Sequence, residues 1–194
     1  KGNTVDPQKL IDQYGADTVR LFTMFAAPPE QSLEWNDSAV EGAYRFLRKL
    51  WKAVNLHLSE KNEKSLIPAD LNTEQQDLRR KTHTTIAKVS NDFGNRQTFN
   101  TAIAAIMELL NDTGKFSNKK CAAGRAVERE ALETIILLLS PIAPHICHRL
   151  WSILGNTDML IDQKWPIVDE ITLTKNILQI VVQVNGKLRA QIDV

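Results

Sequence analysis

The chain has 194 residues, 43% of them hydrophobic, and 24 lysines and arginines against 23 aspartates and glutamates give a net charge of +1. That is enough apolar chain to bury one core with some residues left over, and too little net charge for global attraction to nucleic acid, so any such attraction must come from local stripes. Two distant cysteines, Cys121 and Cys147, exclude a disulfide framework and suit a reducing compartment, and no apolar run reaches the length of a membrane span.

The chain opens inside a Lys-Gly-Asn loop with neither methionine nor a signal segment, and is expected to be a piece of a longer, cytoplasmic protein. Asp6-Pro7 reads as an N-cap followed by proline at the first helical position, where a missing N–H costs nothing. Gly15 is expected to close that short helix in the left-handed conformation. A second helix follows at once, with Val19, Phe22 and Phe25/Ala26 on its inner face, and Pro28-Pro29 ends it.

After an irregular stretch ending at Trp35, Asn36 or Asp37 caps a long helix running to about Ser59. Val40, Ala43, Leu47, Leu50/Trp51, Val54 and Leu58 form its apolar stripe; Arg45, Arg48, Lys49 and Lys52 share the opposite face. Four cations within about two turns repel one another mildly, so they are either solvated or meet a polyanion. Residues 60–72 read as a connector. Thr73 with Gln76 predicts a capping box, and the helix it opens buries Leu78, Thr82, Thr85/Ile86, Val89 and Phe93 before Gly94 stops it.

Phe99, Ile103, Ile106/Met107 and Leu110 predict the inner face of the next helix, whose Ala102, Ala104 and Ala105 permit close approach of a neighbour. Residues 111–124 read as a loop. A helix from about Arg125 to Leu139, apolar throughout Ile136–Leu139, is expected at the centre of the molecule. Pro144 restarts a helix that buries Ile146, Leu150/Trp151 and Leu154 and ends at Gly155. Trp165-Pro166 lies in a coil expected to pack back on the helices. Residues 177–194 alternate apolar and polar on both sides of Asn185-Gly186, predicting a β-hairpin. A three-residue loop, Val184 to Gly186, would pair Val182 with Leu188 and Ile180 with Ala190 and keep one face dry.

KGNTVDP at Lys1–Pro7, with YGAD and RLF close behind, resembles the segment just past the KMSKS signature of class I aminoacyl-tRNA synthetases. LEWNDSAVEGAYRFLRKLW at Leu33–Trp51 and RQTFNTAIAAIMELLN at Arg96–Asn111 resemble the leucyl-tRNA synthetases of bacterial type, and PIAPH with the later Leu-Trp resembles the last bundle helix of that subclass. The resemblance implies an all-α antiparallel helix bundle, an anticodon-binding type of domain, with a C-terminal β-hairpin. It implies post-KMSKS connector helices in 1–35, the tRNA-binding bundle in 36–170, and the start of a C-terminal domain in 171–194.

The activity implied for the parent enzyme is ATP-dependent attachment of leucine to its tRNA through a leucyl-adenylate, with ATP and Mg as its cofactors. No catalytic residue is expected in this chain, Lys1 merely flanking the absent KMSKS loop, and no cofactor either. The partners implied are tRNA(Leu) and the remaining domains of the parent, without a membrane and without oligomerisation. The residues implied to bind tRNA are Arg45, Arg48, Lys49 and Lys52, with Arg80, Lys187 and Arg189 beside them. The family binds through tRNA shape and backbone, with the bundle gripping the stem region. Little base stacking is therefore expected, and Trp35, Trp51 and Trp151 are read as core.

His145 and His148 share a helix face, but Cys147 points away and no fourth ligand is near, so no metal site is expected. Asp17 and Arg20 are expected to tie the first helices together. Two other readings stay open: the same module from a valyl-, isoleucyl- or methionyl-tRNA synthetase, and a helical protein-interaction module without RNA binding. An exposed apolar groove would favour the latter.

Overall fold

The computed structural model describes residues 6–27, 31, 37–59 and 67–174, together with the backbone of 179–184 and 187–193. Trp35 and Lys1 lie outside the described residues, as do the side chains of Lys187 and Arg189.

Helix α1 (Pro7–Tyr14) begins as its sequence dictates: the Asp6 carboxylate accepts from the Gln8 N–H at 3.0 Å and Pro7 occupies the first turn. Gly15 ends it at φ 85°, ψ 153°, a positive-φ region open to glycine but not the left-handed helical stop expected. Helix α2 (Ala16–Ala26) buries Asp17, Thr18, Leu21 and Phe22. The inner face is thus rotated from the one expected, and Phe25 is exposed.

Helix α3 (Asp37–Ser59) packs Val40, Ala43, Leu47, Leu50 and Val54 into the core. Trp51 is not part of that stripe; it is 40% exposed. Helix α4 (Thr73–Asn91) is capped one residue earlier than predicted, since Asn72 and Gln75 exchange the capping-box bonds at 3.0 Å each. Gly94 does not stop the chain. The helix passes into a π-helical turn, Asp92–Arg96, and Gln97 closes it at φ 52°, ψ 32°. At this junction the buried Asp92 carboxylate accepts from Thr101 Oγ1 at 2.6 Å and Lys88 Nζ at 3.1 Å and lies 3.5 Å from Arg96 Nη1, bonds that bridge the π turn.

Helix α5 (Phe99–Lys115) runs further than expected, burying Thr113, and the loop shrinks to 116–121. Helix α6 (Ala122–Leu139) packs against α3, α4, α5 and the next helix, α7 (Pro144–Ile153). Its Leu132, Ile135, Ile136, Leu138 and Leu139 are all fully buried, at about 1.5–3 kcal/mol of transfer free energy each. Gly124 permits the start of α6 to touch the preceding loop, because a Cβ there would lie 1.6 Å from the Asn118 carbonyl oxygen. Consecutive helices α4, α5 and α6 pack on one another across the short links 92–98 and 116–121.

Two polar ties hold the first helices to the end of this bundle. Asp17 accepts from the Ile146 N–H at 2.7 Å and lies 2.9 Å from His145 Nδ1, at the N-terminus of α7. Arg20 donates to the carbonyls of Ile142 at 2.9 Å and Pro141 at 3.1 Å. Trp165 packs back as expected, donating to Ser90 Oγ at 2.8 Å beside Phe93. The short helix α8 (Glu170–Leu173) rests on α4.

Beyond α8 the backbone of β1 (Gln179–Val184) runs antiparallel to that of β2 (Lys187–Asp193). The register is not that of a three-residue loop. Val184 pairs with Lys187, and a shift between Val182 and Gln183 sets Val182 opposite Ala190 and Ile180 opposite Ile192. Arg189 is passed over, which makes this a β-bulge in the second strand.

Candidate nucleic-acid interface

Burial of the Val40–Val54 ridge fixes the rotation of α3, and the three-and-four spacing then forces Arg45, Arg48, Lys49 and Lys52 onto its outer side, where all four are exposed. Arg48 sits over the Tyr44 ring, 5.8 Å from its centroid, and Lys49 Nζ bonds to Asn111 Oδ1 on α5. Among the described residues, none of the four makes an ion pair. The cations of α4 differ. Arg79 is held by Glu130 and Asp169, Arg80 by Asp77 at 2.6 Å, Lys81 by Glu108 and Asp112, and Lys88 by Asp92. Arg80, expected beside the stripe, is therefore half-buried, paired and on a helix that meets α3 through α5 and α6.

Beside the stripe lies a cleft of about 260 Å³ whose walls come from four helices: Tyr14 of α1, Thr18 of α2, Tyr44, Arg48 and Trp51 of α3, and Ile146 of α7. Tyr14 and Tyr44 meet edge to face at 5.6 Å and 63°. Sequence reasoning missed this cleft. The one available signal was the spacing of Tyr44, Arg48 and Trp51 along one edge of α3, which the assignment of Trp51 to the core concealed.

A larger cavity lies elsewhere. An apolar groove of about 770 Å³ runs between the α6–α7 turn and residues 159–166, lined among others by Leu137, Pro144, His148, Ile161 and Trp165. Met159 and Ile161 at its rim are 57% and 83% exposed.

His145, Cys147 and His148 do not converge. His145 faces Asp17, His148 faces the groove, and Cys147 is fully buried. Burial pushes the Cys147 thiol well up, and the nearby Asp17 charge adds to this, so the sulfur stays protonated and a poor nucleophile or ligand. Among the described residues no group of three or more His, Cys, Asp or Glu side chains could hold a metal ion.

The carboxylates shifted from their ordinary range have structural partners. At Glu128, burial acts to raise the pKa, but the His57 bond at 2.9 Å and Lys119 at 2.6 Å outweigh it and hold the group below the usual range. The described arrangement can thus offer a row of solvated cations flanked by aromatic rings, which suits binding of a polyanion.

A family described as the anticodon-binding domain of tRNA ligase matches residues 75–194. A leucine–tRNA ligase of Thioalkalivibrio sulfidiphilus is 63% identical over all of this chain and 24% of its own length, and one of Cellvibrio japonicus is 63% identical over all of this chain and 22% of its own. The chain thus spans about a quarter of the length of the curated relatives it matches.

Among solved structures, Agrobacterium radiobacter K84 agnB2 LeuRS, in a ternary complex with tRNA and LeuAMS, superposes with a TM-score of 0.85. It shares 29% identity, over all of this chain and 25% of that one. Mycobacterium tuberculosis methionyl-tRNA synthetase, in complex with methionyl-adenylate, has the same fold over 81% of this chain and 35% of its own, with a TM-score of 0.68 at 23% identity. Since the family match spans more than half of its residues, this chain belongs to the anticodon-binding domain family of tRNA ligases.

Proposed function

We propose that this chain is the tRNA-binding part of a leucine–tRNA ligase, an enzyme that joins leucine to tRNA(Leu) with ATP and Mg through leucyl-adenylate. In this reading residues 1–35 connect to a catalytic domain, 36–170 bind and position tRNA, and 171–194 begin a C-terminal domain with the β1–β2 hairpin. Identity of 63% to leucine–tRNA ligases over the whole chain supports leucine over valine, isoleucine or methionine. The observation that carries RNA binding is the α3 row of four cations, none with a carboxylate partner among the described residues. Such a row gains by releasing the counterions condensed on a phosphate backbone. Lys187 and Arg189 are proposed as further contacts, and Arg80 as a lesser one because Asp77 competes for it. The protein is proposed to be cytoplasmic and monomeric, and the 194 residues by themselves to lack aminoacylation activity; leucine-dependent ATP–pyrophosphate exchange by the purified chain would contradict this.

The test is a titration with leucine tRNA and an unrelated tRNA at ~50 and ~200 mM salt. Four phosphate contacts predict a loss of affinity of about 50- to 150-fold across that range. Changing Arg45, Arg48, Lys49 and Lys52 together to Gln should abolish most of this salt dependence. Unaltered binding by that variant would remove the stripe from the interface.

The apolar groove favours a second contact of a different kind, with apolar side chains from the remaining domains of such an enzyme. Polar substitution of Ile161, already 83% exposed, tests it: the contact predicts a less stable intact enzyme and an isolated chain of unchanged stability.

A further inference from the structure

We infer that the cleft between α1, α2, α3 and α7 is a stacking site for an unpaired base of the bound RNA, with Trp51 as its principal platform. The inference rests on the RNA-binding reading above and adds a base contact to what is otherwise a backbone grip. Tyr44, Arg48 and Trp51 follow one another at i, i+4 and i+7 along one edge of α3, so three flat groups stand in a row. Arg48 already lies over the Tyr44 ring, and Tyr14 meets that ring edge to face. Tyr44 and Trp51 are 36% and 40% exposed, although both sit on a helix with a complete buried ridge of its own.

The rim names the occupant. The same helix carries Arg45 and Lys52 next to these rings, both exposed and without ion pairs among the described residues, so the partner is a polyanion. The floor is apolar, from Leu47 and Ile146 with the Thr18 side chain, so the polyanion also brings a flat apolar face. A nucleic acid with an unstacked base offers both at one repeat spacing, whereas a paired duplex offers only phosphate. The carboxylate in the cleft does not oppose this, because Asp17 is turned to the Ile146 N–H and His145. A base over Trp51 would be held by stacking and, beside Arg48, by a guanidinium plane.

The experiment compares two RNA strands of ~12 nucleotides with equal phosphate count, one carrying bases and one abasic, on the 194-residue chain. Stacking on one ring system predicts about tenfold tighter binding of the strand with bases. Trp51→Ala should abolish that preference while leaving affinity for the abasic strand and the salt slope unchanged, and Trp51→Phe should restore most of it.

Leucine tRNA should lose about as much as the strand with bases. Equal loss on both strands in both variants, or no loss on either, overturns the stacking site. The second result would leave the exposed rings to a protein contact. If the four-cation Gln variant keeps its affinity for every RNA, the underlying RNA-binding reading fails instead, so the two failures are separable.

Discussion

Replacing Asp92 by Asn removes one charge from the point where α4 passes into the π turn. The carboxylate is fully buried, yet the two cations that hold it are not: the Lys88 and Arg96 side chains are 47% and 57% exposed and return to water when the charge goes. The cost therefore falls below the 3–5 kcal/mol of breaking a wholly buried pair and is set by the lost charge-assisted bonds, about 2–3 kcal/mol.

For a chain of this size that is a fall in Tm of about 4–12 °C. Burial acts to raise the Asp92 pKa, but Thr101, Lys88 and Arg96 together lower it below its ordinary value. A carboxyl lowered on folding stabilises above its unfolded pKa, and that contribution disappears as pH falls through the folded pKa. The gap between the parent chain and Asp92→Asn should be full at pH 7 and begin to close below about pH 4.

Urea unfolding followed by far-ultraviolet circular dichroism at several pH values measures it. A gap under ~0.5 kcal/mol at pH 7, or one that does not narrow in acid, would refute the stabilising role of this carboxylate at the π turn.

Two further outcomes follow from close contacts. Gly124→Ala would drive a methyl into the Asn118 carbonyl, which is backbone and cannot swing aside, and should destabilise by about 1–3 kcal/mol; an unchanged urea midpoint would show that the 116–121 loop gives way freely. Asp17→Ala leaves the Ile146 N–H without its acceptor and should loosen α1 and α2 from α7 by about 1–3 kcal/mol. Hydrogen exchange should then quicken in residues 7–26 ahead of α6, and uniform protection would count against the tie.

Local chemistry settled what lies within a turn or two of each residue. Asp6-Pro7 and Pro144 open their helices as written because a cap needs only its neighbours. The Val40–Val54 ridge and the cation stripe opposite it are both consequences of one period, so each implied the other. Where two local signals competed, packing chose: Asn72 rather than Thr73 took the cap, since Gln75 from that frame also donates to Asn118. Gly94 was overridden too, at the junction where Asp92 is bonded by Thr101, beyond the end of the helix.

Trp51 shows the limit most clearly. It stands next to Leu50 on the edge of an apolar stripe, and periodicity cannot say whether an edge is covered. That depends on where α1, α2 and α7 arrive, and the ties of Asp17 and Arg20 to residues 141–146 set that arrival from more than a hundred positions away. The sequence by itself thus determined the helices, their buried ridges and the charge on α3, all properties of short range. Only the tertiary structure decided that an aromatic cleft lies open beside that charge, because long-range contacts alone determine which edges of a helix remain in water.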